Sequence, residues 1–367
     1  MAFIEELEGL KKNGLHRNIK DRDALRDNKP ESACRIYINE IEYINFASND
    51  YLGLSVHPAL SYAAKKAIGK YGTGAGASRL LSGGTSLHSQ LEKRIANFKG
   101  SKAALILNSG YTANTSVIPA IASYGDIIFS DELNHASIID GCRLSKAKTI
   151  IYKHRDVEHL SELIKKENGK QKIIITDSIF SMDGDIAPVD KIYELLCSLD
   201  SPALLYIDDA HGTGVLGKGH GVLNHFGIKP DSRIIQMGTF SKAFGSFGAF
   251  VAASADVIDW IINNARGFIF STALPPAIIG ANIAAVELVS NTPELVQKLW
   301  DNRKMLLKGL KKLGLDAMQS KTPIIPLLVN TVKDAVRLSE HLSEHHIYAP
   351  AIRPPSVKQP RIRLAVT

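Results

Sequence analysis

From residue 103 to residue 290 the chain alternates short aliphatic runs with longer segments of helical periodicity. Runs at 103–107, 126–129, 148–152, 172–176, 203–207, 233–236 and 248–252 have strand length and near-continuous apolar character, as expected of strands covered on both faces. Segments 113–122, 135–144, 156–166, 188–198, 255–266, 276–290 and 293–312 carry apolar residues at three- and four-residue spacing. Parallel strands need crossover connections, and these helices supply them. The pattern predicts a three-layer α/β/α domain on a mostly parallel seven-stranded sheet. Strand 248–252 follows its neighbour with no helix between, so it is expected to run antiparallel.

The flanks read differently. Phe3, Ile4, Leu7 and Leu10 predict a short amphipathic helix that packs on another surface. Residues 20–31 read as a polar connector, 35–38 and 42–46 as a strand pair, and 49–54 as a turn. Pro58 is placed to open a helix. Glycines crowd Tyr71 to Thr85, and a second helix then ends at Gly100. Beyond Gly314 come a strand at 324–329, a helix at 332–345, a Pro-rich irregular stretch at 349–360 and a strand at 361–366. The expected division is 1–45 as an N-terminal helix and strand segment, 46–290 as the large domain and 291–367 as a smaller α/β domain.

At 367 residues, 45% hydrophobic and 22% charged, the chain has an ordinary globular composition. The net charge of +7 is dispersed, with no Lys/Arg block to form a nucleic-acid stripe. A mild positive excess suits an acidic substrate such as coenzyme A or an acidic carrier protein. Cys34, Cys142 and Cys197 have no pairing or zinc-binding pattern, so reduced thiols, no metal and a cytoplasmic protein are expected. The N-terminus lacks an apolar signal core, and no apolar run is long enough to span a membrane.

Chemistry concentrates around Lys242, in the Gly-rich stretch Met237 to Phe250. Phe240, Ala243, Phe244 and Phe247 flank it, and a partly desolvated amine gives up its proton more readily. Upstream, strand 203–207 runs into Asp208, with His211 just beyond. A carboxylate can hold a pyridinium nitrogen protonated, an imidazole can bond a phenolic oxygen, and a lysine can form a Schiff base. Together they tune pyridoxal phosphate as an electron sink.

Other residues suit the same ligand. Gly110 and Tyr111 open a helix directly after a strand, an anion-binding arrangement for the phosphate. Thr239 offers a second phosphate donor, and Thr272 a third, from this or a neighbouring subunit. His135 opens the next helix, where its flat ring can stack on a pyridine. Ser181 follows strand 172–176 and can donate to the cofactor. Two nucleotide motifs compete weakly. Gly212 to Gly217 matches G-x-G-x-x-G but lacks the following helix, and the overlapping phosphate-loop pattern has Gly219 where Ser or Thr is needed.

Several motifs resemble the α-oxoamine synthases, pyridoxal phosphate enzymes of the aspartate-aminotransferase fold (fold type I). They are NDYLGL (49–54), YGTGAGASRLLSG (71–83), SGYTAN (109–114), NHAS (134–137), FSMDGD (180–185), DDAHGTGVLG (208–217) and TFSKAFG (239–245). IYAPAIRPPSV (347–357) and RIRLAV (361–366) are similar to the branch that serves biotin synthesis. The resemblance implies that L-alanine condenses with pimeloyl-CoA or pimeloyl-acyl carrier protein, releasing CO2, in a homodimer with its site at the subunit boundary. The family alternative is glycine with a short acyl-CoA. By motif, Lys242, Asp208, His211 and His135 become catalytic, and Ser181, Thr239, Gly110 and Tyr111 support the cofactor. Arg363 resembles the arginine that takes the amino-acid carboxylate, and Arg17 and Ser356 resemble positions facing the acyl substrate. Ser356 stands where threonine is frequent, and the family's usual last helix has no counterpart after Thr367.

Overall fold

The computed structural model describes residues 2–26, 30–318 and 320–367. Part of the expected connector, 27–29, lies outside the described residues. The central sheet has seven strands, in the order Ala103–Leu107, Ala249–Ala253, Ile234–Thr239, Ala203–Asp208, Lys172–Asp177, Ile127–Asp131, Lys148–Tyr152. Ala249–Ala253 runs antiparallel to both neighbours, as its short connection requires, and the other adjacent pairs are parallel.

Alternate residues of the middle strands feed two separate cores. Ile174, Leu205 and Ile207 face one, and Ile173, Ile175 and Tyr206 face the other. All six are fully buried, and each large apolar side chain so buried contributes about 1.5–3 kcal/mol. Helix Ser86–Lys99 covers the first face with Leu91 and Ile95. Helix Gly110–Ile121 covers the second with Ala113, Val117 and Ile118.

Two small sheets complete the chain. Arg361–Ala365 lies between Ile324–Leu328 and Ala351–Ile352, antiparallel to both. The hairpin of Arg35–Ile38 and Ile41–Asn45 takes Ile347–Tyr348 as a parallel third strand. A residue pair is too short to show a period, which is why the sequence left 351–352 inside an irregular stretch. Helix Ala2–Lys12 forms as expected, but Phe3, Ile4, Leu7 and Leu10 stay 41–57% exposed, so its apolar face is not buried against this chain.

Gly212 to Gly221 does not form a nucleotide cradle. It wraps a buried ion pair in which Lys99 Nζ bonds Asp209 Oδ2 at 2.8 Å and the His220 carbonyl at 2.7 Å. Gly221 sits at φ +103°, and a Cβ there would lie 1.9 Å from Asp209 Oδ2. Lys99→Met would strand a buried carboxylate and should destabilise the protein by about 3–5 kcal/mol in chemical denaturation. A loss below about 1 kcal/mol, the scale of an exposed pair, would contradict this.

Candidate active site

Two parallel strands end side by side on acids, with Asp177 paired in register to Asp208. Asp208 accepts from Asn114 Nδ2 at 2.8 Å and from the Ala210 amide at 3.0 Å. Asn114 is itself fixed, taking Tyr206 Oη at 2.8 Å and donating to Ser137 Oγ at 2.8 Å. Asp177 accepts the His135 amide at 2.7 Å. Burial, and then the charge of Asp208, push its carboxyl well above the usual range.

His135 caps helix Ala136–Leu144, and its Nδ1 lies 2.7 Å from Ser137 Oγ. Burial lowers its pKa, with Asp208 pulling upward and Lys242 pushing down. His211 is buried, and burial with the nearby positive charges of Lys242 and Arg363 holds it neutral, well below its usual pKa. Its Nδ1 lies 2.7 Å from Tyr51 Oη. Burial raises Tyr51 to about 12, so it keeps its proton, which can go to His211 Nδ1 or, at 3.3 Å, to Asn49 Oδ1. With Tyr51 donating to Nδ1, His211 Nε2 carries the ring hydrogen and can donate to a ligand.

Lys242 is half-buried in a turn closed by the Gly245 amide to the Lys242 carbonyl at 2.8 Å. Phe240, Ala243 and Phe244 are buried around it, whereas Phe247 is 49% exposed and does not wall the amine as expected. The turn packs tightly on the 51–55 segment. A Cβ at Gly245, φ +62°, would lie 2.2 Å from the Ser55 amide. Burial lowers the Lys242 pKa, Asp208 and Asp177 oppose this, and Arg363 adds to it.

Strand Arg361–Ala365 brings Arg363 to the same place. Its Nε donates to the Ser181 carbonyl at 2.5 Å and its Nη2 to Asn49 Oδ1 at 2.9 Å. Gly110 opens helix Gly110–Ile121, with Ser109 Oγ accepting from the Thr112 amide at 3.1 Å. The Gly110 and Tyr111 amides have no intrahelical acceptor and stand open to an anion. A Cβ at Gly110 would meet nothing closer than 3.9 Å, so the helix mouth is open, and Thr239 is one of its neighbours. Thr239 Oγ1 donates to the Gly248 carbonyl at 2.8 Å, which leaves the exposed Ser241 hydroxyl, 2.7 Å away, as the freer donor. Tyr111 turns aside to bond Asp140. Thr272 is exposed, and its carbonyl accepts from Asn108 Nδ2 at 3.0 Å beside the anion loop. Arg17 and Ser356 meet elsewhere, at 3.4 Å, on a cleft of about 930 Å³ that Lys20, Tyr43 and Arg353 also line.

This donor set fits pyridoxal phosphate: a carboxylate for a ring nitrogen, a neutral imidazole donor for a phenolic oxygen, a lysine amine and an open helix N-terminus. The aminotransferase class I and II family profile matches residues 41–367. The chain belongs to that family. It is 54% identical to a putative 8-amino-7-oxononanoate synthase of Thermodesulfovibrio yellowstonii, over 100% of this chain and 92% of the relative. The 8-amino-7-oxononanoate synthase of Geobacter metallireducens is 46% identical with the same coverage. Among solved structures, a Sphingomonas wittichii serine palmitoyltransferase superposes with TM-score 0.91 at 27% identity, covering 99% of this chain and 91% of that one. The 8-amino-7-oxononanoate synthase of Francisella tularensis gives 0.77 at 31% identity, covering 88% and 91%. The fold is therefore that of the fold type I transferases, and the cofactor is pyridoxal phosphate, as in a serine palmitoyltransferase solved with PLP at TM-score 0.91.

Sequence reasoning missed Tyr51, Asn114 and Asp177. Asp177 had a usable signal, since its strand ends on an acid just as the Asp208 strand does. The two acids should respond unequally to amides. Asp177→Asn keeps an acceptor for the His135 amide and should leave cofactor affinity within about threefold. Asp208→Asn removes a charge and should weaken it by about tenfold or more. Titration of cofactor-free variants reads both, and equal losses would contradict the assignment.

Proposed function

We propose that this chain joins L-alanine to the pimeloyl group of pimeloyl-CoA or pimeloyl-acyl carrier protein, with loss of CO2, to give 8-amino-7-oxononanoate for biotin synthesis. The supporting observation is that Arg363 Nη2 reaches Tyr51 Oη, the partner of His211 Nδ1, at 3.5 Å, in a chain 46–54% identical along its length to a named and a putative 8-amino-7-oxononanoate synthase. On this reading the enzyme works in the cytoplasm as a homodimer with its site at the subunit boundary. Exposed Leu81, Phe247 and Phe270 favour such a partner. Among the described residues no helix is long and apolar enough to cross a membrane.

Bound between Asp208 and Lys242, pyridoxal phosphate supplies a conjugated ring that takes up the electron pair left at an amino-acid α-carbon. Asp208, ordered by Asn114 and Ala210, would keep a proton at the ring nitrogen. His211 would meet the phenolic oxygen, and His135 would face the ring. The Gly110 and Tyr111 amides, with Thr239 and Thr272 and the freer Ser241 hydroxyl beside Thr239, would hold the phosphate, and Ser181 would support the cofactor. Arg363 binds the carboxylate of L-alanine. Lys242 Nζ, its proton affinity reduced by burial, removes the α-proton and later returns one. Arg17 and Ser356 face the acyl chain in their shared cleft.

Incubation with L-alanine and pimeloyl-CoA should yield 8-amino-7-oxononanoate by mass spectrometry. A product formed only from glycine and a short acyl-CoA would overturn the substrate assignment. Lys242→Ala should still bind cofactor while kcat falls at least about a thousandfold, the range for loss of a positioned base. Near-normal turnover would remove Lys242 from its role.

A further inference from the structure

His154 lies just past strand Lys148–Tyr152. Its Nδ1 is 2.9 Å from Asp131 Oδ1 and its Nε2 is 2.8 Å from Asp185 Oδ2. Both ring nitrogens face carboxylate oxygens, and only an imidazolium donates to both. Asp131 ends strand Ile127–Asp131 and also accepts the Arg155 amide at 2.9 Å. Asp185 Oδ2 is shared with Arg155 Nη1 at 3.1 Å. Glu132 accepts the His154 amide at 3.0 Å, and the imidazole meets the Phe180 ring edge-on at 4.3 Å.

The far side of this bridge is the turn from Phe180 to Asp185. It is closed by the Phe180 amide to the Asp185 carbonyl at 3.1 Å and the Gly184 amide to the Phe180 carbonyl at 2.8 Å. The same turn presents the Ser181 carbonyl to Arg363 Nε and the Met182 carbonyl to Arg361 Nη1 at 3.1 Å. A rigid strand edge is thus connected through His154 and Asp185 to the arginine of the substrate site.

We propose that His154, by bridging Asp131 and Asp185, is a positioning residue that fixes the Phe180–Asp185 turn and so aims Arg363 at the carboxylate of the amino-acid substrate. The proposal rests on the reading of Arg363 given above. Burial opposes a charge on His154, but hydrogen bonds and charge from Asp131 and Asp185 outweigh it and raise its pKa to about 9. The bridge is complete at neutral pH and is lost as pH rises through that value.

The test is steady-state kinetics of His154→Gln and Asp185→Asn beside the unmodified holoenzyme, with the amino acid it prefers. At neutral pH the amino-acid KM should rise about tenfold, the effect of misplacing one charge-assisted hydrogen bond, while kcat, the acyl-donor KM and cofactor retention stay within about threefold. The ratio of variant to unmodified KM for His154→Gln should fall towards one by about pH 10, because the unmodified protein loses the same charge. This ratio cancels the ionisation of the substrate itself. An unchanged amino-acid KM, a uniform loss across all parameters, or a ratio that ignores pH would overturn the proposal. If His154→Gln does not fold, Asp185→Asn carries the same split between KM and kcat. Failure of the functional reading would appear in the products of the unmodified enzyme, and failure of this proposal only in the ratios.

Discussion

The site depends on desolvating one amine and one carboxylate at the same strand edge without letting them collapse into a plain salt bridge. Asp208 is kept from closing on Lys242 because its oxygens are already engaged by Asn114 and the Ala210 amide. Lys242 is held by the turn it belongs to, which packs so closely on Leu54 and Ser55 that only glycine fits at 245. Partial burial then lowers the proton affinity of the amine while the neighbouring acids limit the effect. The rigid parallel sheet supplies the edge, and binding at the carboxyl ends of its strands follows the general behaviour of open α/β sheets.

Three acids close together meet three different fates. Asp208 faces the helix Gly110–Ile121, where an asparagine keeps it available. Asp209 meets Lys99 of the helix on the opposite side of the sheet, because successive side chains of a strand point to opposite faces. Asp177 ends the adjacent strand, where burial beside Asp208 pushes its carboxyl well above the usual range. Environment rather than residue type therefore sets one acid at the candidate site, one in an internal ion pair and one against the His135 amide.

The central sheet was legible because continuous apolar runs and helical spacing are local signals. Strand order was not: nothing in the period of 249–253 says that it inserts between 103–107 and 234–239. Lys242, Asp208 and His211 could be grouped because they sit on consecutive strand ends. Tyr51 and Asn114 could not, since their partners lie far along the chain and each reads locally as a turn or helix residue. The glycines from 212 to 217 imitate a phosphate loop, and only the packing around Asp209 reveals their use. Phe247 shows the limit of local inference, since one aromatic in a hydrophobic stretch turned outward.

The central claim is that the cofactor is anchored at residue 242, and borohydride reduction of the purified protein followed by peptide mass mapping tests it most directly. The account predicts a phosphopyridoxyl label on Lys242 alone, with loss of the visible absorbance. A label on another lysine, or none on a protein that still turns over, would contradict it.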